Sequence, residues 1–95
     1  MLVLVAYDIQ TCHRAGQKRL LAVARYCESM GKQVQDSLFE CMLDAAQLRA
    51  LESRLLELID SEEDSVRIYP LKNTGFHRVR CLGKTAPSYP DFLIH

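Results

Sequence analysis

The chain contains no tryptophan, only three prolines and four glycines, and aromatic residues make up 7% of it. Such sparing use of glycine and proline excludes a collagen-like or low-complexity segment, and no Pro/Gly/Ser linker divides the chain. No apolar run approaches the roughly 20 residues that a membrane-spanning helix needs. The apolar opening Leu2–Ala6 has five residues and no basic stretch before it, so it does not read as a signal peptide. This predicts a cytoplasmic protein whose four cysteines are reduced thiols. Cys12, Cys27, Cys41 and Cys81 include no Cys-x-x-Cys pair, which leaves zinc and dithiol sites without support and favours a role as small apolar side chains. His-x-x-x-His, Gly-x-Ser-x-Gly and glycine-rich phosphate loops are also missing. Zincin, α/β-hydrolase and P-loop chemistry therefore fail on motif grounds.

What is present suits one small globular domain: 95 residues, 48% hydrophobic and 25% charged. The net charge of zero hides three blocks. Residues 1–35 carry five bases and two acids (+3), residues 36–64 two bases and nine acids (−7), and residues 65–95 five bases and one acid (+4). An acidic middle between basic ends is either a solvated helix face or a fold that gathers its cations on one side for a nucleic acid.

Leu2–Tyr7 is a short run rich in strand formers and reads as a central strand ending at Asp8. A helix has to begin within the polar segment Gln10–Gln17. Leu20, Val23, Ala24, Cys27 and Met30 continue it at helical spacing, and Gly31 is placed to stop it as a C-cap. Gln33–Ser37 and Leu38–Leu43 read as two strands around a tight turn or bulge at Asp36-Ser37. Asp44 caps a second helix with the stripe Leu48, Leu51, Leu55, Leu58 and Ile59. The acidic run Asp60–Asp64 reads as a solvated loop. Val66–Leu71 alternates as a strand, and Pro70, which has no N–H to give a ladder, points to a sheet edge. Arg78–Leu82 is a fifth strand or an extended arm.

The order predicts an α+β fold, a ferredoxin-like βαββαβ sandwich with a C-terminal extra strand. Residues 1–83 form the domain and residues 84–95 an extension, swapped or partner-binding through Phe92-Leu93-Ile94. Both helices fall on one face of the sheet. The other face is expected to expose side chains such as Tyr7 and Phe39, and so to meet a second copy or a nucleic acid.

Asp8 has two readings. An aspartate after a strand commonly caps the next turn. A carboxylate at the end of a central strand can also hold a magnesium ion, and two copies of Asp8 meeting on a two-fold axis would share one. His13 is either a solvated loop histidine or a proton carrier beside Asp8. Arg14, Lys18 and Arg19 stand where the first helix begins, the end that favours anions, so they serve either as solvated charge or as phosphate contacts. His77, Lys72, Asn73, Arg78 and Arg80 form a second basic loop of the same kind.

Tyr7-Asp8-Ile9, Gln35-x-Ser37-Leu38-Phe39-Glu40 and Asp64-Ser65-Val66-Arg67-Ile68-Tyr69-Pro70-Leu71, in that order and spacing, resemble the CRISPR-associated protein 2 family. The likeness runs over nearly the whole chain to about Leu82. It implies a ferredoxin-like homodimer of the adaptation stage of CRISPR immunity. Such a protein is a metal-dependent endonuclease on single-stranded RNA or double-stranded DNA, or a DNA-holding scaffold for the CRISPR-associated protein 1 integrase, or both. The family's metal-binding and catalytic aspartate carries over to Asp8, with Tyr7, Ser37 and Phe39 as site neighbours. Its basic residues early in helix one carry over to Arg14 and Arg19, and Lys18, Arg78 and Arg80 complete the expected nucleic-acid surface. Spacer acquisition is the implied process and a slow magnesium-assisted hydrolysis the implied chemistry. A toxin-like ribonuclease resembling virulence-associated protein D is the alternative. A ligand-sensing ferredoxin-like domain would need a glycine-rich turn, which the sequence lacks.

Overall fold

The computed structural model describes residues 1–71 and 80–83, with the backbone alone at Arg80 and Cys81. Five strands, β1 (Leu2–Asp8), β2 (Lys32–Gln35), β3 (Leu38–Met42), β4 (Ser65–Leu71) and β5 (Arg80–Gly83), form one sheet in the order β2-β3-β1-β4-β5. All neighbours run antiparallel. The first four strands have the ferredoxin-like order, and β5 extends the sheet beside β4. Two helices, α1 (Arg14–Met30) and α2 (Ala45–Leu58), make the crossovers. Among the described residues no helix is long and apolar enough to cross a membrane.

β1 is central because it is apolar on both sides of its pleat. Its odd positions Val3, Val5 and Tyr7 join Phe39, Cys41, Val66 and Ile68 in the core against the helices. Val23 and Cys27 from α1 and Leu51 and Leu55 from α2 close that core. Its even positions Leu4 and Ala6 share a second cluster with Leu38, Tyr69 and Leu71 on the opposite face. Register fixes this division, since Val5 lies opposite both Phe39 and Ile68. A slip of one residue would exchange the two faces.

Two expectations change here. Tyr7 and Phe39 do not lie on the helix-free face; both are buried beneath the helices, with ring centroids 6.1 Å apart. The helix-free face instead carries Leu4, Leu38 and Tyr69, and Tyr69 is 0% exposed. Nor is β4 an edge strand, because it is flanked by β1 and β5. Pro70 lies opposite Val3 of β1, beyond the Ser65–Ile68 stretch that pairs with the described residues of β5.

The helix ends explain themselves locally. Asp44 accepts from the Gln47 backbone N–H (2.7 Å) and the Gln47 side-chain oxygen accepts from the Asp44 N–H (2.9 Å), a complete capping box. Gly31 does end α1, its N–H bonding to the Cys27 carbonyl at 2.9 Å, but its backbone is extended (φ −168°) and not left-handed. Glycine is needed because β3 passes so close that a Cβ would run into the Glu40 carbonyl and stand 2.6 Å from Cys41 Sγ. The β2–β3 turn falls at Asp36-Ser37 as expected, with Ser37 at φ 62° and a register shift between Gln33 and Gln35.

Removing the α2 cap should cost little but measurably. Asp44→Ala is expected to lower stability by about 1 kcal/mol, read as a lower urea midpoint at unchanged slope.

Candidate functional site

Asp8 is the last residue of β1, and its neighbours Tyr7 and Ile9 both face the helix-side core. Strand alternation therefore sends Asp8 to the opposite face, at the end of the sheet, where it is exposed. Ser65, the first residue of β4, lies directly opposite it, and Gly83 of β5 lies opposite Ser65. Arg67 comes two residues further along β4 on the same face, diagonal to Asp8 across the strand pair.

The loop after Asp8 is held from outside itself. Asp64 is 0% exposed, and its carboxylate accepts from the Gln10 N–H (3.0 Å), the Asp60 N–H (2.9 Å), and Arg19 through Nε (2.7 Å) and Nη2 (3.4 Å). Arg19 also reaches Glu63 at 3.5 Å. The acidic run is thus not simply a solvated loop: Ser61, Glu62 and Glu63 are exposed, whereas Asp64 is interior. A buried carboxylate needs such donors, because leaving its charge unmet in an apolar setting is costly. The turn-capping considered for Asp8 is performed, in this loop, by Asp64.

Tyr7, Ser37 and Phe39, expected as neighbours of the Asp8 site, lie together on the helix side of the sheet. The Tyr7 N–H bonds to the Ser37 carbonyl at 3.0 Å and its ring stacks on Phe39. Burial first, then the neighbouring Cys27, Glu28 and Asp36, raises the Tyr7 hydroxyl, against a hydrogen bond with Ser37 that lowers it. Asp8 is their neighbour through the backbone, while its side chain belongs to the other face.

Of the basic residues, Arg14 and Lys18 are exposed on the first turns of α1. The N-cap residue is His13, whose side chain makes no capping bond, and the first turn holds no acid. Arg19 differs from the expectation of a phosphate contact, because its guanidinium is turned inward onto Asp64 and its side chain is 19% exposed. Arg80 begins β5, opposite Ile68. Arg78, Lys72, Asn73, His77 and the tail 84–95 lie outside the described residues.

As a metal ligand, Asp8 offers the hard oxygen donors that magnesium takes, in an exposed position. Among the described residues no group of three His, Cys, Asp or Glu side chains could hold a metal ion. At this place a protomer offers an ion the Asp8 carboxylate, and a second copy would supply another.

Comparison with known proteins fits this arrangement. A family model for CRISPR associated protein Cas2 matches residues 1–79. The chain belongs to the Cas2 family. The CRISPR-associated endonuclease Cas2 of Halalkalibacterium halodurans is 48% identical over 95 residues, 99% of each chain. A CRISPR-associated endoribonuclease Cas2 of Moorella thermoacetica is 47% identical over 72 residues, covering 76% of this chain and 75% of its own. The crystal structure of Streptococcus pyogenes Cas2 superposes with a TM-score of 0.71 at 44% identity, covering 76% of this chain and 87% of that one. Cas2 relatives thus carry nuclease names, and the matched span contains all three segments that suggested the family, with the toxin-like alternative no longer needed.

Within the Cas2 fold of this chain, sequence reasoning missed Asp64, Gln10 and Gly16 as parts of the site's support. Gly16 is buried on α1 because the Gln10 carbonyl comes so close that a Cβ would collide with it. The usable signal was a glycine inside a helical pattern, which costs about 1 kcal/mol relative to alanine and so often marks close approach. Nothing local distinguishes Asp64 from Glu62 or Glu63.

Burial works to raise the Asp64 carboxyl, but the bonds from Arg19, Asp60 and Gln10 and the Arg19 charge outweigh it and leave it below the ordinary 3.8. A group depressed in the folded state stabilises the fold above its unfolded value and loses that contribution as pH falls through the folded one. Thermal melts should therefore show the parent losing its advantage over Asp64→Asn as pH drops from about 5 to below 3.8.

Proposed function

We propose that this chain is a magnesium-dependent endonuclease of the Cas2 family, active as a homodimer on duplex DNA or single-stranded RNA. It would work in the cytoplasm during spacer acquisition, alongside the CRISPR-associated protein 1 integrase. The observation that carries the reading is Asp8: an exposed carboxylate at the end of the central strand, in a family whose relatives are named as endonuclease and endoribonuclease.

In this reading Asp8 would hold the ion, together with the Asp8 carboxylate of a second copy. When bound, magnesium supplies Lewis-acid stabilisation of the phosphoryl oxygens and a more acidic water. The chain's own work is placement. Arg14 and Lys18 bind phosphates flanking the reactive one. The α1 amino end, free of acids in its first turn, favours the same anions. Tyr7 and Phe39, stacked in the core, keep the end of β1 from shifting. With no group of three His, Cys, Asp or Glu side chains to hold an ion among the described residues, turnover should be slow.

Asp8→Asn is expected to reduce magnesium-dependent cleavage by more than about 100-fold, since it removes the ligand. Melting temperature and sedimentation as a dimer of 10.9 kDa chains should stay unchanged. Parental cleavage by the mutant would make Asp8 structural, and a monomer at micromolar concentration would remove the shared ion.

A scaffold reading is favoured by the exposed Arg14 and Lys18, which need no metal to bind DNA. Duplex affinity should fall steeply with salt and show little sequence preference, because the contacts are to phosphates. Replacing Arg14 and Lys18 by Ala should lower the log–log salt slope by about 2 for each protomer engaged. Asp8→Asn should leave that affinity intact, and the neutral chain should bind more strongly once the integrase is added. An affinity lost with Asp8, measured at two salt concentrations, would instead favour a metal-centred nuclease.

A further inference from the structure

The Gln10 peptide, two residues beyond Asp8, is gripped on both sides. Its N–H donates to Asp64 Oδ1 at 3.0 Å. Its carbonyl lies against the Cα of Gly16, so closely that no side chain fits there, and the same virtual Cβ would stand 3.4 Å from Arg19 Nη2. Arg19 in turn is fixed by Asp64. The loop from Ile9 to His13 therefore has little room to move relative to α1. Asp64 is itself immobilised: it accepts from the Asp60 N–H at 2.9 Å while its own N–H donates to the Asp60 carbonyl at 2.8 Å. The next residue, Ser65, is the cross-strand partner of Asp8. One short segment, Asp64-Ser65, thus holds Asp8 through the strand pair on one side and through Gln10 on the other.

We propose that Asp64 is a positioning residue for Asp8: by tying Gln10, Arg19 and the start of β4 together it fixes where the Asp8 carboxylate stands at the end of the sheet. This rests on the reading of Asp8 as a metal ligand. Two carboxylates that share an ion across a two-fold axis have to reach a common point, and any drift at one Asp8 is repeated at the other. Asp64 touches neither the ion nor the substrate, and its influence passes through the backbone of residues 8–10. Arg19, whose position in helix one suggested a phosphate contact, belongs to this support and not to the nucleic-acid surface.

Two variants disturb the grip from opposite sides. Asp64→Asn keeps the shape but removes the charge and one set of acceptors. Gly16→Ala leaves Asp64 untouched and pushes the Gln10 carbonyl away. Leu51→Ala, in the buried stripe of α2, serves as a control that lowers stability without altering the loop. Mn2+ binding is followed by the loss of the free-ion electron paramagnetic resonance signal, with Mg2+-dependent cleavage measured in parallel. Asp64→Asn and Gly16→Ala should each weaken Mn2+ binding about tenfold, as loss of a ligand's support does. Leu51→Ala should keep the parental midpoint despite melting earlier. Hydrogen exchange of the Gln10 amide should accelerate in Asp64→Asn. If Asp64→Asn does not fold, Gly16→Ala decides. Parental Mn2+ midpoints in the folded loop variants, or a weakening that Leu51→Ala shares, would overturn the role given to Asp64. A parent that neither binds Mn2+ nor cleaves would instead remove the metal reading of Asp8 on which it rests.

Discussion

The buried carboxylate of Asp64 is the interaction on which the arrangement of this protein's functional end depends. A charge with none of its surface in water is tolerated only where donors converge on it. Here the donors come from the loop after β1, from α1 and from the turn before β4. Meeting the demands of one side chain thus fixes the mutual placement of three segments distant in sequence. Arg19 is the largest contributor, and its engagement explains a basic residue near the amino end of a helix, where the dipole would not place one.

The second constraint is the two-sided burial of β1. Because both faces of the strand are apolar, alternation delivers consecutive residues to different environments. Tyr7 goes into the core with Phe39, and Asp8 goes to the exposed end of the opposite face. An aromatic-packed strand end beside an exposed carboxylate follows from the alternation of two consecutive residues and from the register with β3 and β4. The helix-free face is also more varied than a bare surface: Leu4, Leu38 and Tyr69 are buried there, whereas Met42 is 71% exposed.

Most elements were legible because their signals are local. Hydrophobic spacing gave the helices, the Asp44–Gln47 box marked the start of α2, and Asp36-Ser37 marked the turn between β2 and β3. Gly31 ends α1 where its position in the sequence predicts, but its need is space against β3 and not a left-handed backbone. Pro70 misled in the same way. Its strand, β4, is flanked by β1 and β5, a neighbourhood that no local pattern encodes. For the site, Asp8 stood out by its position at the end of an apolar strand. Asp64 did not, because five consecutive polar residues, four of them acidic, look alike until one is turned inward.

By itself, the sequence determined the element types, their order, the family, and the placing of a carboxylate at the end of the central strand. These depend on local periodicity, on caps, and on short segments at fixed spacing. Only the tertiary structure decided which face each side chain of the sheet takes, that Arg19 is bound inward while Arg14 and Lys18 stay exposed, and that Asp64 is interior. Those outcomes depend on register and on contacts between residues 45 and 54 positions apart. Such contacts form only when the strands pair and the helices close over them, so the stretches of chain that make them carry no mark of it.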